Sequence, residues 1–178
     1  MPQAVTHFLI PAILINLFRD YFIKKKKRFS LRYVLIGGLA GILPDLDIAA
    51  YYVLGFFGFT INELHRTFSH SIFIPMLFVL LGFVFYSFKN KELGKHHLKL
   101  HTILFVIAFG IFMHLILDVL VYGQIMPLYP FSNYSIGAYM INLLPDFWRS
   151  TILPVFDAAL LVLWLVYLVL KHKISDFI

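Results

Sequence analysis

The sequence predicts an all-α membrane protein: a polytopic helical bundle of about five membrane segments, one of them a broken helix. Hydrophobic residues fill 61% of the 178 positions and charged residues only 13%, 20 positions are Phe, and several apolar stretches approach the ~20 residues that cross a bilayer. The acids and histidines that interrupt those stretches fall at one depth. Ionisable groups in a membrane segment are costly and tend to face an interior, functional site. The basic residues instead gather at segment ends, where topology and anionic head groups account for the net charge of +6. Membrane lipids are therefore the expected partners, and nucleic acid is not.

The first span runs from about Thr6 to Ile23 and is the weakest, because Asn16, Arg19 and Asp20 interrupt it and it could lie in the interface. The second, Leu31 to Phe59, contains Gly37, Gly38, Gly41 and Pro44. Proline removes a backbone donor and disfavours helix in the residue before it, so this span is expected to break, which a membrane tolerates where the freed backbone lines a polar cavity. Ser71 to Phe88, Leu100 to Tyr122 and Ile152 to Leu170 follow. The segment 123–151, rich in Pro, Tyr, Asn and Ser, is too polar to cross and reads as an ordered outer loop or cap within a single integral-membrane domain, 1–178. No basic region precedes the first apolar run and no small-residue cleavage site follows it, so that segment is expected to stay in place.

Lys24 to Arg28 with Arg32, then Lys89, Lys91, Lys95 and Lys99, then Lys171 and Lys173 mark three cytoplasmic edges under the positive-inside rule. Alternation puts the N-terminus, the connection 60–70 and the loop 123–151 outside the plasma or inner membrane. His7, Asp45, Asp47, His65, His70, His114, Asp118 and Asp157 then all fall near the outer face, whereas His96, His97, His101 and His172 fall on the other. Only Lys and Arg entered that assignment, so the grouping of His and Asp is independent of it.

The chain has no cysteine, which excludes disulfides, thiolate ligands and cysteine nucleophiles together and leaves nitrogen and oxygen to bind any metal. His114 and Asp118 are one helical turn apart and share a face, as a metal pair or as a histidine hydrogen-bonded to a carboxylate. His65 and His70, five apart, meet only if their segment is irregular or turns into a helix, with Ser69 or Ser71 as N-cap. A helix N-terminus would keep such a histidine neutral, the ligating form. Asp45 and Asp47 point apart on a regular helix but can converge at a break; Pro44 also suits a first helical position and Asp45 a positive helix end. A second Leu-Leu-Pro-Asp at Leu143 to Asp146 reads as a helix start. Asp157 can cap a helix or face solvent.

The order of these motifs resembles the YdjM-like family of membrane-bound metal-dependent hydrolases. The resemblance rests on Thr6-His7, Gly41-Ile42-Leu43-Pro44-Asp45-Leu46-Asp47, His65-Arg66 followed by Ser69-His70-Ser71, and His114 to Asp118 followed by Gly123 and Pro130-Phe131-Ser132. It covers roughly Thr6 to Ser132. Thr67 stands where the commoner motif has Gly, which would tighten the turn between the histidines. These motifs are also distantly similar to the histidine and aspartate sets of zinc-dependent phospholipase C and P1-type nucleases, which implies an α-helical phosphoesterase-type centre.

The residues themselves point to one to three divalent ions, zinc first, held by His7, Asp45, Asp47, His65, His70, His114 and Asp118; seven ligands exceed what one four-coordinate zinc needs. Such an ion lowers the pKa of bound water toward ~7. Asp45 and Asp118 are the candidates to orient that water, and Arg66 to neutralise a developing phosphate charge by its bidentate geometry. An outer-face site suits a lipid phosphate or another amphipathic phosphoester. Two other classes use the same residues: a divalent-cation transporter with acids beside a broken helix, and a non-catalytic membrane protein whose metal is structural.

Overall fold

The structure, a computed structural model, describes residues 4–24, 29–61, 65–87, 92–93, 98–121 and 123–171. Lys25 to Arg28, Lys89, Lys91, Lys95, His96, His97, His172 and Lys173 lie outside them. Helix α1 spans Ala4–Phe22 and carries Pro11 in its interior. Proline cannot donate to the carbonyl four residues back, so α1 lacks one intrahelical bond at Pro11. Helix α2, Arg32–Ala40, gives way after Gly41 to a 3-10 turn, Leu43–Leu46, with Pro44 in its first turn. Helix α3, Asp47–Leu54, continues into a second 3-10 turn, Gly55–Phe57, that stops at left-handed Gly58. The chain bends by 50° between α2 and the Leu43–Phe57 segment, so the second span breaks where Pro44 predicts.

Residues 65–72 form turns, and the Ser71 hydroxyl accepts the Phe73 N–H (3.3 Å) to cap α4, Phe73–Ser87. A two-residue antiparallel ladder, β1 (Glu92–Leu93) with β2 (Leu98–Lys99), leads into α5, Leu100–Val121. The connection after α5 is pinned by the Ile125–Ile136 bridge, and α6, Asp146–Lys171, starts ahead of the expected Ile152 because Pro145 and Asp146 form a helix start.

Among the described residues, two helices, α5 and α6, are long and apolar enough to cross a membrane, and the bent pair makes a third if counted as one span. That is fewer than the expected five. Helix α1 has the length, at 19 residues, but carries Asn16, Arg19 and Asp20. The 15 residues of α4 cover about 22 Å at 1.5 Å per residue, less than the ~30 Å hydrocarbon core.

The core lies among α1, α2 and α5, where Ala12, Ile15, Tyr33, Val34 and Val106 are buried. Glycine makes the closest crossings possible: a Cβ on Gly110 would stand 2.4 Å from the Gly37 carbonyl, and one on Gly41 would stand 2.1 Å from the His7 carbonyl. Helix α6 runs parallel to α1 and is tied to it twice. Asp157 accepts both the N–H (3.0 Å) and the hydroxyl of Thr6, and Asp20 accepts the Tyr167 hydroxyl (2.7 Å). Arg19 reaches the Phe29 carbonyl, the Lys99 N–H reaches the Tyr33 hydroxyl, and Lys171 lies over the Tyr21 ring, so these cations collect at one end of the bundle.

Candidate metal centre

The other end gathers all seven expected ligands. His7 comes from the first turns of α1, Asp45 from the 3-10 turn after Pro44, Asp47 from the start of α3, His65 and His70 from the turns before α4, and His114 and Asp118 from adjacent turns of α5. The break at Pro44 is what lets Asp45 and Asp47 serve the same centre from different sides: Asp45 Oδ1 faces His70 and His114, while Asp47 Oδ1 faces His65. His7, His70, His114 and Asp118 are buried.

Hydrogen bonds fix the ring orientations. His114 Nδ1 donates to the Gly41 carbonyl (2.7 Å), and His65 Nδ1 donates to Asp47 Oδ1 (2.8 Å). The Ser69 hydroxyl donates to Asp47 Oδ2 (2.6 Å), so its oxygen accepts from His70 Nδ1 (3.0 Å). Each ring therefore commits Nδ1 and leaves Nε2 free as a ligand, as metal-binding histidines do. His70 Nε2 and His114 Nε2 face each other at 3.1 Å. Asp118 Oδ2 lies 3.3 and 3.6 Å from these two nitrogens, and Asp45 Oδ1 lies 3.8 and 3.7 Å from them. Two imidazole lone pairs at that distance repel unless a cation lies between them. Donors 2.0–2.1 Å from one tetrahedral ion would be separated by about 3.3–3.4 Å, close to the 3.1–3.6 Å among the two imidazole nitrogens and Asp118 Oδ2.

Around this set, His7 Nε2 approaches Asp118 Oδ1 (3.3 Å) and its ring packs on His114, with centroids 4.2 Å apart. Asp118 Oδ2 and His65 Nε2 are buried with no hydrogen-bond partner, a costly condition that a cation relieves. Two trios with ligand atoms within 4.8 Å of one another, His7–His114–Asp118 and Asp45–His65–His70, could each hold a metal ion. Arg66 Nε lies 3.7 Å from Asp118 Oδ2 with its side chain 30% exposed.

Two features mark the turn that carries His70. Burial works against a charged His70, but the carboxylates of Asp118 and then Asp47 beside it outweigh burial and raise its pKa above the ordinary value. The left-handed residue of the turn is Arg66 (φ 63), not Thr67, so the position where Gly is commoner is not the one needing unusual backbone. Asp157 bonds Thr6 and stays outside the cluster. His101 packs against Tyr86 at the far end. Sequence reading missed Gly41 as an acceptor and Ser69 as a link between Asp47 and His70; both stand inside the quoted motifs, but only the fold reveals the partners. It also missed a cavity of about 480 Å³ that reaches Asp47 and Ser69 and is lined as well by Thr67, Phe59, Phe68 and Tyr129.

The fold and the cluster define a helical membrane protein with a buried His/Asp site able to bind a metal ion. A family model described as YdjM inner membrane protein matches residues 1–175, and the chain belongs to that family, as its motifs predict. No curated protein and no solved structure matches it.

Proposed function

We propose that this chain is a metal-dependent hydrolase that cleaves a phosphoester of a lipid or another amphipathic substrate at the outer face of the membrane. The observation that carries the reading is the apposition of His70 Nε2 and His114 Nε2 at 3.1 Å, with carboxylate oxygens of Asp118 and Asp45 beside both. Of these, His70, His114 and Asp118 would hold zinc and leave a position for water, with Asp45 beside it, and His7 and His65 stand ready for further ions. Zinc, when bound, supplies Lewis acidity toward a phosphoryl oxygen and toward water. Asp45 is the most open of the four donors, with its side chain 20% exposed, and is placed to orient water and take its proton. Arg66, partly exposed beside Asp118, neutralises phosphate charge. The mixed aromatic and hydroxyl lining of the 480 Å³ cavity suits an amphipathic molecule.

We further propose five crossings with the centre outside. The two ties between α1 and α6 run from Thr6 to Asp20 along α1, about 21 Å of helix, so α1 lies beside a membrane helix over most of a hydrocarbon core. Helix α4 pairs with α5 through Phe83–Phe105 and Tyr86 against His101. The cations collected at the opposite end support a cytoplasmic assignment for that end.

Metal analysis of the purified protein, followed by hydrolysis of a lipid-phosphate panel by wild type and Asp118→Asn, tests the function. Zinc-dependent cleavage lost in Asp118→Asn is expected. The 50° break beside two acids favours transport as the second reading; a loaded protein inert to the whole panel that moves zinc or manganese across liposomes refutes the hydrolase and establishes that alternative. Inertness in both assays with tightly held metal points to a structural site.

A further inference from the structure

We infer that Asp47 is a positioning residue rather than a metal ligand: it holds His65 and His70 by their Nδ1 atoms so that both rings present Nε2 to the centre. The inference rests on the metal-centre reading above and changes the role that the sequence assigns to this residue. An ionised carboxylate accepts through about four lone-pair sites, and four donors surround Asp47. His65 Nδ1 lies 2.8 Å from Oδ1, while the Ser69 hydroxyl (2.6 Å), the Arg66 N–H (3.3 Å) and His70 Nδ1 (3.3 Å) surround Oδ2. Little acceptor capacity remains for a cation. Asp45, by contrast, turns Oδ1 toward the Nε2 atoms of His70 and His114.

The surrounding backbone agrees with a bracing role. Asp47 begins α3 directly after the 3-10 turn, so its carboxylate is fixed to the broken helix. Its bond to the Arg66 N–H helps hold the left-handed residue that reverses the chain between His65 and His70. That reversal lets two histidines five apart stand edge to face, with ring centroids 5.2 Å apart. One side chain thus fixes two imidazole orientations, the turn between them and, through Ser69, the nitrogen on which His70 carries its proton. Outer partners of this kind tune ligands strongly, and removing one typically costs 10–100-fold in metal affinity.

The test compares Asp47→Asn, Ser69→Ala and Asp118→Asn by zinc titration, by X-ray absorption at saturating zinc, and by imidazole nitrogen NMR of the metal-free protein. For Asp47→Asn, zinc affinity should fall roughly 10–100-fold, yet saturating zinc should restore the wild-type stoichiometry and number of nitrogen and oxygen donors. The NMR should show His65 and His70 losing their preference for a proton on Nδ1. Ser69→Ala keeps the carboxylate and removes one neutral hydrogen bond, so a loss of about two- to tenfold with an unchanged donor count is expected; it provides the test should Asp47→Asn fail to fold. Asp118→Asn should lose zinc even at saturation. An Asp47→Asn protein that keeps wild-type tautomers, or an Asp47→Asn or Ser69→Ala protein that lacks one donor at saturation, overturns the positioning role while the centre stands. Wild-type protein that takes up no zinc overturns the centre and this role together.

Discussion

Gly41→Ala adds one methyl group at the point where three parts of the centre meet. The new Cβ would lie 2.1 Å from the His7 carbonyl oxygen, whereas ordinary contact begins at 3.4 Å, so the two backbones must separate by about 1.3 Å. Neither side yields cheaply. The His7 carbonyl is backbone, the Pro11 ring stands 2.8 Å from the same Cβ on the other side, and the Gly41 carbonyl is the acceptor that orients His114. Ligand sets hold their geometry to within about 0.5 Å, and a misplacement of 1 Å can cost 10²-fold in function. We therefore expect Gly41→Ala to weaken zinc binding by about 10²-fold and to lower stability by about 1–3 kcal/mol, the usual cost of overpacking. The control is Gly55→Ala, whose Cβ would meet only the Tyr51 ring at 3.4 Å and should leave zinc binding unchanged. Zinc titration of both purified proteins, with thermal unfolding on the same samples, decides the matter. Wild-type affinity in Gly41→Ala would refute the claim that the close crossing of α1 and the α2 terminus sets the positions of His7 and His114.

Loss of zinc from His70→Ala and His114→Ala, with full retention in His101→Ala, is expected from elemental analysis; equal loss in all three would remove the basis for the cluster. Arg66→Lys keeps the charge but not the planar fork, so turnover of a lipid phosphate should fall at unchanged zinc content, and loss of zinc instead would make Arg66 a support of Asp118. Metal must displace the proton that Asp118 and Asp47 favour on His70, so zinc retention should decline as pH falls, beginning on the alkaline side of an ordinary imidazole; retention unchanged down to pH values well below about 6.5 would contradict this. A reporter after Ser135 should register outside and one after Lys171 cytoplasm, and a cytoplasmic signal at Ser135 would invert the placement of the site.

The His/Asp cluster could be read from the sequence because its members are the residues an apolar environment penalises most. His114 and Asp118 interrupt an otherwise apolar helix, and an ionisable pair there needs a reason. The break at Pro44 could be read for a different cause, the missing donor and the restriction on Leu43. What could not be read is who binds whom. Asp45 and Asp47 look alike in sequence, yet one faces the nitrogens of His70 and His114 and the other is spent on His65, Ser69 and a backbone N–H, a difference created by the 3-10 turn between them. Fewer helices qualify as spans by themselves than the apolar stretches suggest, for a related reason: apolar content marks α4 and most of α1, but span length and the polar residues Asn16, Arg19 and Asp20 decide whether a helix can cross by itself.

Helix α6 illustrates how a segment without ligands still shapes the centre. Only Leu153 of this helix is buried, so packing alone gives it little hold on the bundle. Its polar ties do more. Asp157 takes the N–H and hydroxyl of Thr6, the residue beside His7, which satisfies an N-terminal donor of α1 and holds the start of that helix against α6. Pro11, one turn further on, cannot donate to the His7 carbonyl, at the place where Gly41 approaches. His7 is thus held on the N-terminal side by an acid from α6, on the C-terminal side by a proline, and across the bundle by a glycine. None of the three is a ligand, and each acts through backbone position. The sequence-distant residues of the centre meet because the backbones carrying them are fixed at this one end, while the opposite end is closed by Asp20, Tyr167 and the cations around them.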